Sequence, residues 1–382
     1  MQIKIPLARP TFYEDDIREY LNNVREILVS GRLTLGPYTR KFEDLLQEFI
    51  NVNHAIVMSS CTAALHAIML ALKIRAGDEV IVPTYTFAST VNAVLYVGAK
   101  PVLVDSDLNT YNISVEDVVN KISERTKAII AVHIGGNPAD LKALLEIVED
   151  HGIILIEDAA HALGSYYNNR HVGTFGKVSA FSFYPTKIIT TGEGGAVVTD
   201  DSELAEKLRI IRCVGRSGLG PTEVVELGHN FRMSELQAAL GVVQMGRIND
   251  ILENRRNIAN YYDKKFRSMK EIIPQKITKG AKSSYYAYIV RVNEDIGMSR
   301  DYIRQKLWEE YGIETTILYK PIHLHHYYRN IVKVEEGSLP NAELLGNTTL
   351  ALPIYGHMKI SEAEYIVNVV ENILRGHSFS TR

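Results

Sequence analysis

Lysine 187 stands in the stretch FSFYPTKIITTGEGGAVVTD, residues 181–200, between two apolar runs, with Ser, Pro and Thr before it and a turn of glycines after it. An amine so placed can condense with a carbonyl carbon, and once released it can carry a proton. Asp158 follows the apolar run GIILIE, with His161 three residues on in EDAAHALGS. A carboxylate at that point can hold a proton on a basic ring nitrogen. The stretch SSCTAALHAIM opens a helical pattern whose first turn contains Cys61 and Thr62. Its free N–H groups and positive dipole end suit a phosphate. Finally, TYTFAST brings Tyr85 and Phe87, either of which could stack on a flat ring. Taken singly, each cluster has a plainer reading: a turn lysine, a turn aspartate, an ordinary N-cap, a core aromatic.

Something must bring these residues to one place, and the chain between Asn53 and Leu155 has the pattern to do so. The β-rich runs HAIVM, EVIVP, KPVLV, KAIIAV and GIILIE alternate with helical patterns over 62–73, 88–97, 114–123 and 140–150, whose apolar residues recur three and four apart. That alternation predicts βαβ units and a mainly parallel sheet. Such a sheet binds ligands beyond the carboxyl ends of its strands. All of the clusters fall there or just beyond. After Asp158 come a hairpin-like pair, KVSAFSF and GGAVVTD, then helices over 201–214 and from Ser234 towards Arg267. From about Lys270 the strand pattern YYAYIVRV, a helix over 299–311 and a final helix after His357 form another section. The expected organisation is a large α/β domain over residues 1–250 and a smaller α+β domain over 251–382 that also receives the N-terminal helix.

Read together with Lys187, the clusters fit one chemical object, a flat aromatic cation carrying an aldehyde, a ring nitrogen and a phosphate. That object is pyridoxal 5'-phosphate. The aldehyde needs an amine, the ring nitrogen an acid, the phosphate backbone and hydroxyl donors, and the ring an apolar face. An acid about 4 Å from the ring nitrogen, at an effective dielectric near 20, contributes on the order of 4 kcal/mol, roughly three pKa units. Half of that keeps the ring cationic at neutral pH.

The sequence also resembles the DegT family of nucleotide-sugar aminotransferases, within the fold type I pyridoxal-phosphate enzymes. The matching pieces run in order along nearly the whole chain: SGRLTLGPYTRKFE, SSCTAALHAIMLAL, GDEVIVPTYTFASTVNAV, GAKPVLVDSD, VHIGGNPAD, IEDAAHALGS, FSFYPTK, GEGGAVVTD and LGHNFRMSELQAALG. The resemblance implies that Lys187 bonds covalently to the cofactor's aldehyde, that Asp158 pairs with the pyridine nitrogen and that Phe87 stacks on the ring. It further implies that the backbone at Cys61 and Thr62, with the Ser182 hydroxyl, holds the phosphate, and that His161 lies near the ring oxygen. Asn230, in GHNFRM, matches a position that in the family reaches the phosphate of the neighbouring subunit, so the working unit would be a homodimer with shared active sites. The loop containing Tyr319 and His323 borders the substrate cleft in the family, which makes both candidates for sugar contacts. The implied reaction is ping-pong transfer of an amino group, from L-glutamate, to a keto group of a nucleotide-linked sugar.

Other signals carry less. The glycines of TTGEGG precede a strand and not a helix, so they are no dinucleotide fingerprint. The histidines of HLHHYYRN at 323–330 lack a further ligand, and no metal is expected. Only Cys61 and Cys213 are present, against a disulfide framework. The net charge of -3 gives no general grip on nucleic acid or anionic lipid. Neither a signal peptide nor a membrane-spanning run is evident, so a cytoplasmic protein is expected. Two rivals remain on the sequence: a sugar dehydrase of the same family, disfavoured because such enzymes put a histidine where Lys187 stands or add an iron–sulfur cluster, and a regulatory protein keeping the pocket without turnover.

Overall fold

The computed structural model describes residues 4–217 and 223–378. Thirteen strands follow one another along the chain: β1 His54–Met58, β2 Glu79–Pro83, β3 Lys100–Val104, β4 Thr126–Val132, β5 Ile154–Asp158, β6 Tyr166–Tyr167, β7 Arg170–His171, β8 Val178–Ser182, β9 Gly195–Thr199, β10 Ile272–Pro274, β11 Ala281–Lys282, β12 Tyr288–Val292 and β13 Thr349–Leu352. Seven of them form one sheet in the order β1-β9-β8-β5-β4-β2-β3. β9 runs antiparallel to both of its neighbours, and the other pairs are parallel. The continuous apolar character of HAIVM, EVIVP and KAIIAV has its cause here, because helices cover both faces and the strand interiors are buried on each side.

The expected helices sit where their caps put them. Ser60 caps Cys61–Ala71, with its hydroxyl accepting from Ala63 N; Ser114, Asp140, Asp201 and Ser299 cap their helices in the same way. One expectation changes. The helical pattern from Ser234 towards Arg267 is two helices, Glu235–Met245 and Ile248–Phe266, broken at Gly246 and Arg247. The boundary expected at residue 250 falls in the first turn of the second.

The N-terminal helix also differs from expectation. Glu14–Ser30 lies chiefly along Glu235–Met245 and not on the C-terminal sheet, held by Ile27 in the core and by Arg247 Nε donating to Asp16 at 2.8 Å. The residues before it make the connection that the helix was expected to make: Ile5 bridges Ile313, and Leu7 N donates to Glu314 at 3.1 Å. The motif GPYTRKFE is anchored at Glu235. This fully buried carboxylate accepts from the N–H groups of Gly36 (2.9 Å), Tyr38 (2.8 Å) and Thr39 (2.9 Å) at the start of the helix Pro37–Ile50.

A second sheet, β10-β12-β13, packs against Ile248–Phe266 and the final helix Ile360–Ser378 through its own apolar core, which includes Tyr262, Phe266, Leu350 and Val367. A small antiparallel sheet, β11-β6-β7, joins the segment after β5 to the segment before β12.

Candidate active site

Beyond the carboxyl ends of β1, β2, β5 and β8 lies a cavity of about 540 Å³. Its wall includes Cys61, Thr62, Phe87, Asp158, His161, Ser182, Lys187 and Tyr319, so eight of the residues singled out in the sequence meet in one place. Each is delivered by its local structure. Lys187 sits in the β8–β9 connection, in a turn closed by Lys187 N donating to Tyr184 O at 2.9 Å. The connection is clamped at its base by Phe183 N to Gly194 O (2.9 Å) and Thr191 N to Phe183 O (3.0 Å). The glycines after it have a packing reason: a Cβ on Gly195 would fall 2.4 Å from Ser60 C and 2.5 Å from Cys61 N. β9 thus presses directly on the turn that opens the helix Cys61–Ala71. There the N–H groups of Cys61 and Thr62 have no carbonyl one turn back, and Thr62 Oγ1 bonds Ser89 Oγ at 2.7 Å.

Asp158 ends β5 and is 5% exposed. Its carboxylate accepts from Thr90 Oγ1 at 2.8 Å and from Ala160 N at 3.2 Å, and among the described residues no ion pair reaches it. Burial raises its pKa above the ordinary carboxylate value, and the Thr90 and Ala160 bonds with the Lys187 charge offset this only in part. A desolvated carboxylate short of a cation is what a cationic ring nitrogen would complete. The neighbouring Glu157 is satisfied by contrast. Burial pulls it up, but His133 and the N–H groups of Gly176 and Gly173 outweigh that and hold it below its usual value.

His161 is buried, and burial, with the Lys187 charge adding, drives its pKa well below the usual value, so the ring is neutral. Its Nε2 meets the Tyr319 hydroxyl at 3.0 Å, whereas Nδ1 is buried without a partner. The imidazole stacks on Tyr286, centroids 4.0 Å apart and planes at 20°. Phe87 caps the helix Ala88–Tyr96 and is 60% exposed, leaving a ring face open to the cavity. Burial raises the Cys61 thiol well above its ordinary pKa and Asp158 adds to this, so the thiol stays protonated and is no nucleophile.

Two candidates stand elsewhere. His323 is buried away from the cavity wall, with Nδ1 on Thr84 Oγ1 (2.8 Å) and Nε2 on Glu343 Oε1 (3.0 Å). Both ring nitrogens are engaged, so it ties the end of β2 to the C-terminal part and has no free atom for a sugar. Asn230 is exposed and outside this chain's cavity wall, paired through its backbone with Cys213. Among the described residues no group of three His, Cys, Asp or Glu could hold a metal ion.

Two residues escaped the sequence reading: Thr90, buried behind Asp158, and Tyr286, in the cavity wall. Thr90 was legible only as one more hydroxyl in TYTFAST. Tyr286 arrives from the segment before β12, about a hundred residues downstream of Lys187, and its Thr186 Oγ1 contact at 3.1 Å joins the two segments. The residues present fit pyridoxal phosphate: an amine, a buried carboxylate without an ion pair, a neutral imidazole and a helix N-terminus line one cavity, and the imidazole Nδ1 is buried without a partner.

Comparison with known proteins agrees. The family model described as DegT/DnrJ/EryC1/StrS aminotransferase family matches residues 14–371. The spore coat polysaccharide biosynthesis protein SpsC of Bacillus subtilis is 36% identical over 383 residues, 97% of each chain. Among solved structures, PseC of Helicobacter pylori, an aminotransferase involved in the biosynthesis of pseudoaminic acid, is 31% identical with a TM-score of 0.90, covering 97% of this chain and 99% of that one. The PLP-form of Spr1654 from Streptococcus pneumoniae is 30% identical with a TM-score of 0.91, covering 98% and 99%. The fold type I architecture, the matched length and the cavity chemistry lead to one conclusion: the chain belongs to the DegT/DnrJ/EryC1/StrS family of pyridoxal-phosphate-dependent aminotransferases.

Proposed function

We propose that this aminotransferase moves an amino group from L-glutamate to a keto group of a nucleotide-linked sugar, in two half-reactions that use one site in turn. The observation that carries the proposal is the convergence of Lys187, Asp158 without an ion pair and His161 on one cavity. When bound, the cofactor supplies an electron sink that makes a proton on an amine-bearing carbon removable.

The chain's own residues do the rest. Asp158, poised by Thr90 and Ala160, holds the proton on the ring nitrogen. Lys187 would be the covalent anchor and, once released, would take the proton from the donor's Cα and hold it at Nζ for return. The N–H groups of Cys61 and Thr62 and the Ser182 hydroxyl would hold the phosphate. Phe87 would cover a ring face and His161 would lie near the ring oxygen, with Tyr319 fixing the imidazole at Nε2. Tyr319 lines the cavity, which supports keeping it as a sugar contact, and we place His323 in a supporting role.

The working unit on this reading is a homodimer, with Asn230 reaching the partner's phosphate. Exposed apolar side chains on the N-terminal helix, Ile17, Leu21 and Leu28, and at Val224, Val225 and Leu227 support such an association. We also propose residues 1–250 as the cofactor-binding part, residues 251–382 as the smaller part, and the cytoplasm as the place of action. No helix among the described residues is long and apolar enough to cross a membrane. The loops expected to select the sugar are residues 317–330 and 214–226, of which 218–222 lie outside the described residues.

The test is spectroscopic. Protein loaded with pyridoxal phosphate should lose its visible absorbance on addition of L-glutamate and regain it with a keto-sugar nucleotide. Absorbance that no amino acid donor changes would refute the proposal.

A further inference from the structure

Lys187 Nζ lies 4.3 Å from the centroid of the Tyr286 ring, over its face. The same ring is stacked on its other contact, His161, at 4.0 Å, and its hydroxyl bonds Thr186 Oγ1 at 3.1 Å. Among the described residues no carboxylate lies within ion-pair distance of Lys187. The Tyr286 side chain is therefore the near neighbour that the ammonium has, through its ring face and through a hydrogen bond to its hydroxyl.

The ring is also firmly held. Arg255 Nη1 donates to Tyr286 O at 3.2 Å, and Ser284 Oγ donates to His161 O at 3.0 Å. Gly136, at φ +88, would put a Cβ 3.1 Å from Tyr286 N and 2.4 Å from Ser284 Oγ, so only a glycine lets that loop close on this segment. Burial raises the Tyr286 phenol, yet the Lys187 charge, the hydrogen bonds with Thr186 and Lys187 and the Arg255 charge outweigh it and leave it below the ordinary value. Beside Thr186 and Tyr286 a second apolar cavity of about 40 Å³ continues the space.

We propose that Tyr286 is the rest position of the Lys187 amine: its ring face holds the ammonium within reach of the cavity whenever that nitrogen is not covalently engaged. This makes Tyr286 a positioning residue for Lys187, and it rests on the reading of Lys187 as the reactive amine. A lysine side chain has several rotatable bonds, and a free ammonium with no carboxylate at ion-pair distance to fix it would turn towards water. A fixed aromatic face removes that alternative, because cation–π attraction strengthens where water is excluded.

The experiment uses the cofactor-free full-length protein, reductively methylated with ¹³C-formaldehyde, and reads the lysine methyl signals by NMR. The Lys187 signal, identified by its absence from Lys187→Arg, should be displaced upfield by the tyrosine ring current. Tyr286→Phe should keep that displacement and Tyr286→Leu should abolish it, with the other lysine signals reporting that each variant is folded. In parallel, uptake of pyridoxal phosphate followed by absorbance should be about tenfold slower for Tyr286→Leu and near wild type for Tyr286→Phe. A Lys187 signal without displacement, a displacement that survives in Tyr286→Leu, or equal uptake by that variant overturns the proposal. Failure of the underlying reading is distinct: wild-type protein would then show no Lys187-dependent uptake at all, whatever the position of the methyl signal.

Discussion

The substitution Thr90→Val removes one hydroxyl from the fully buried contact that poises Asp158, at almost constant shape. Thr90 Oγ1 donates to Asp158 Oδ2 at 2.8 Å and also meets Thr86 Oγ1 at 2.9 Å. A hydrogen bond to a charged group is worth about 1.5–3 kcal/mol, more than a neutral one, and here no water replaces it. At 1.36 kcal/mol per pKa unit, its loss raises an already elevated Asp158 by about one to two units. A carboxylate that ionises less readily holds a ring proton less well. The cofactor should therefore bind about ten- to a hundredfold more weakly, since each 1.4 kcal/mol is tenfold in affinity. The assay is titration of cofactor-free protein with pyridoxal phosphate, followed by absorbance, with Thr90→Ser as the control that restores the donor. Wild-type affinity in Thr90→Val, with Thr90→Ser unchanged, would refute the reasoning that Asp158 acts through its charge.

Further predictions concern stability and pH. Because Asp158 is raised in the folded chain, its ionisation costs stability that is present at low pH and lost as pH rises through its folded pKa. Asp158→Asn should therefore melt higher than wild type when both lack cofactor at pH 7, while binding pyridoxal phosphate more weakly. Glu235→Ala strands three backbone N–H groups at the start of Pro37–Ile50 and should cost about 4 kcal/mol in urea unfolding, with Glu235→Gln intermediate. Burial lowers His171 to about 4. The unfolded chain therefore binds the extra proton first, and stability is complete above about pH 6.5 and falls by about 3 kcal/mol towards pH 4. His171→Gln should flatten that part of the urea-unfolding profile.

The strands and caps were legible because their signals are local: HAIVM, EVIVP and KPVLV form strands at the residues where the sequence puts them, and Ser60 or Asp140 starts a helix by its own hydrogen bond. The break at Gly246 was not, since apolar spacing continues across it and only the turn geometry separates the helices. The same division runs through the cavity. Asp158 and Ser182 end strands of the main sheet, and Cys61, Thr62, Phe87, His161 and Lys187 follow them, at ends that a parallel topology must gather. Tyr286 comes from a segment that only long-range packing brings there, and no spacing rule points to it. His323 shows the opposite failure: a histidine beside the right loop whose ring nitrogens are taken by Thr84 and Glu343.

The most direct measurement of the central claim is borohydride reduction of the pyridoxal-phosphate-loaded protein, followed by peptide mapping by mass spectrometry. The account predicts one stoichiometric adduct, on the peptide containing Lys187, and its absence from Lys187→Ala. Modification at another lysine, or an equal adduct in Lys187→Ala, would contradict it.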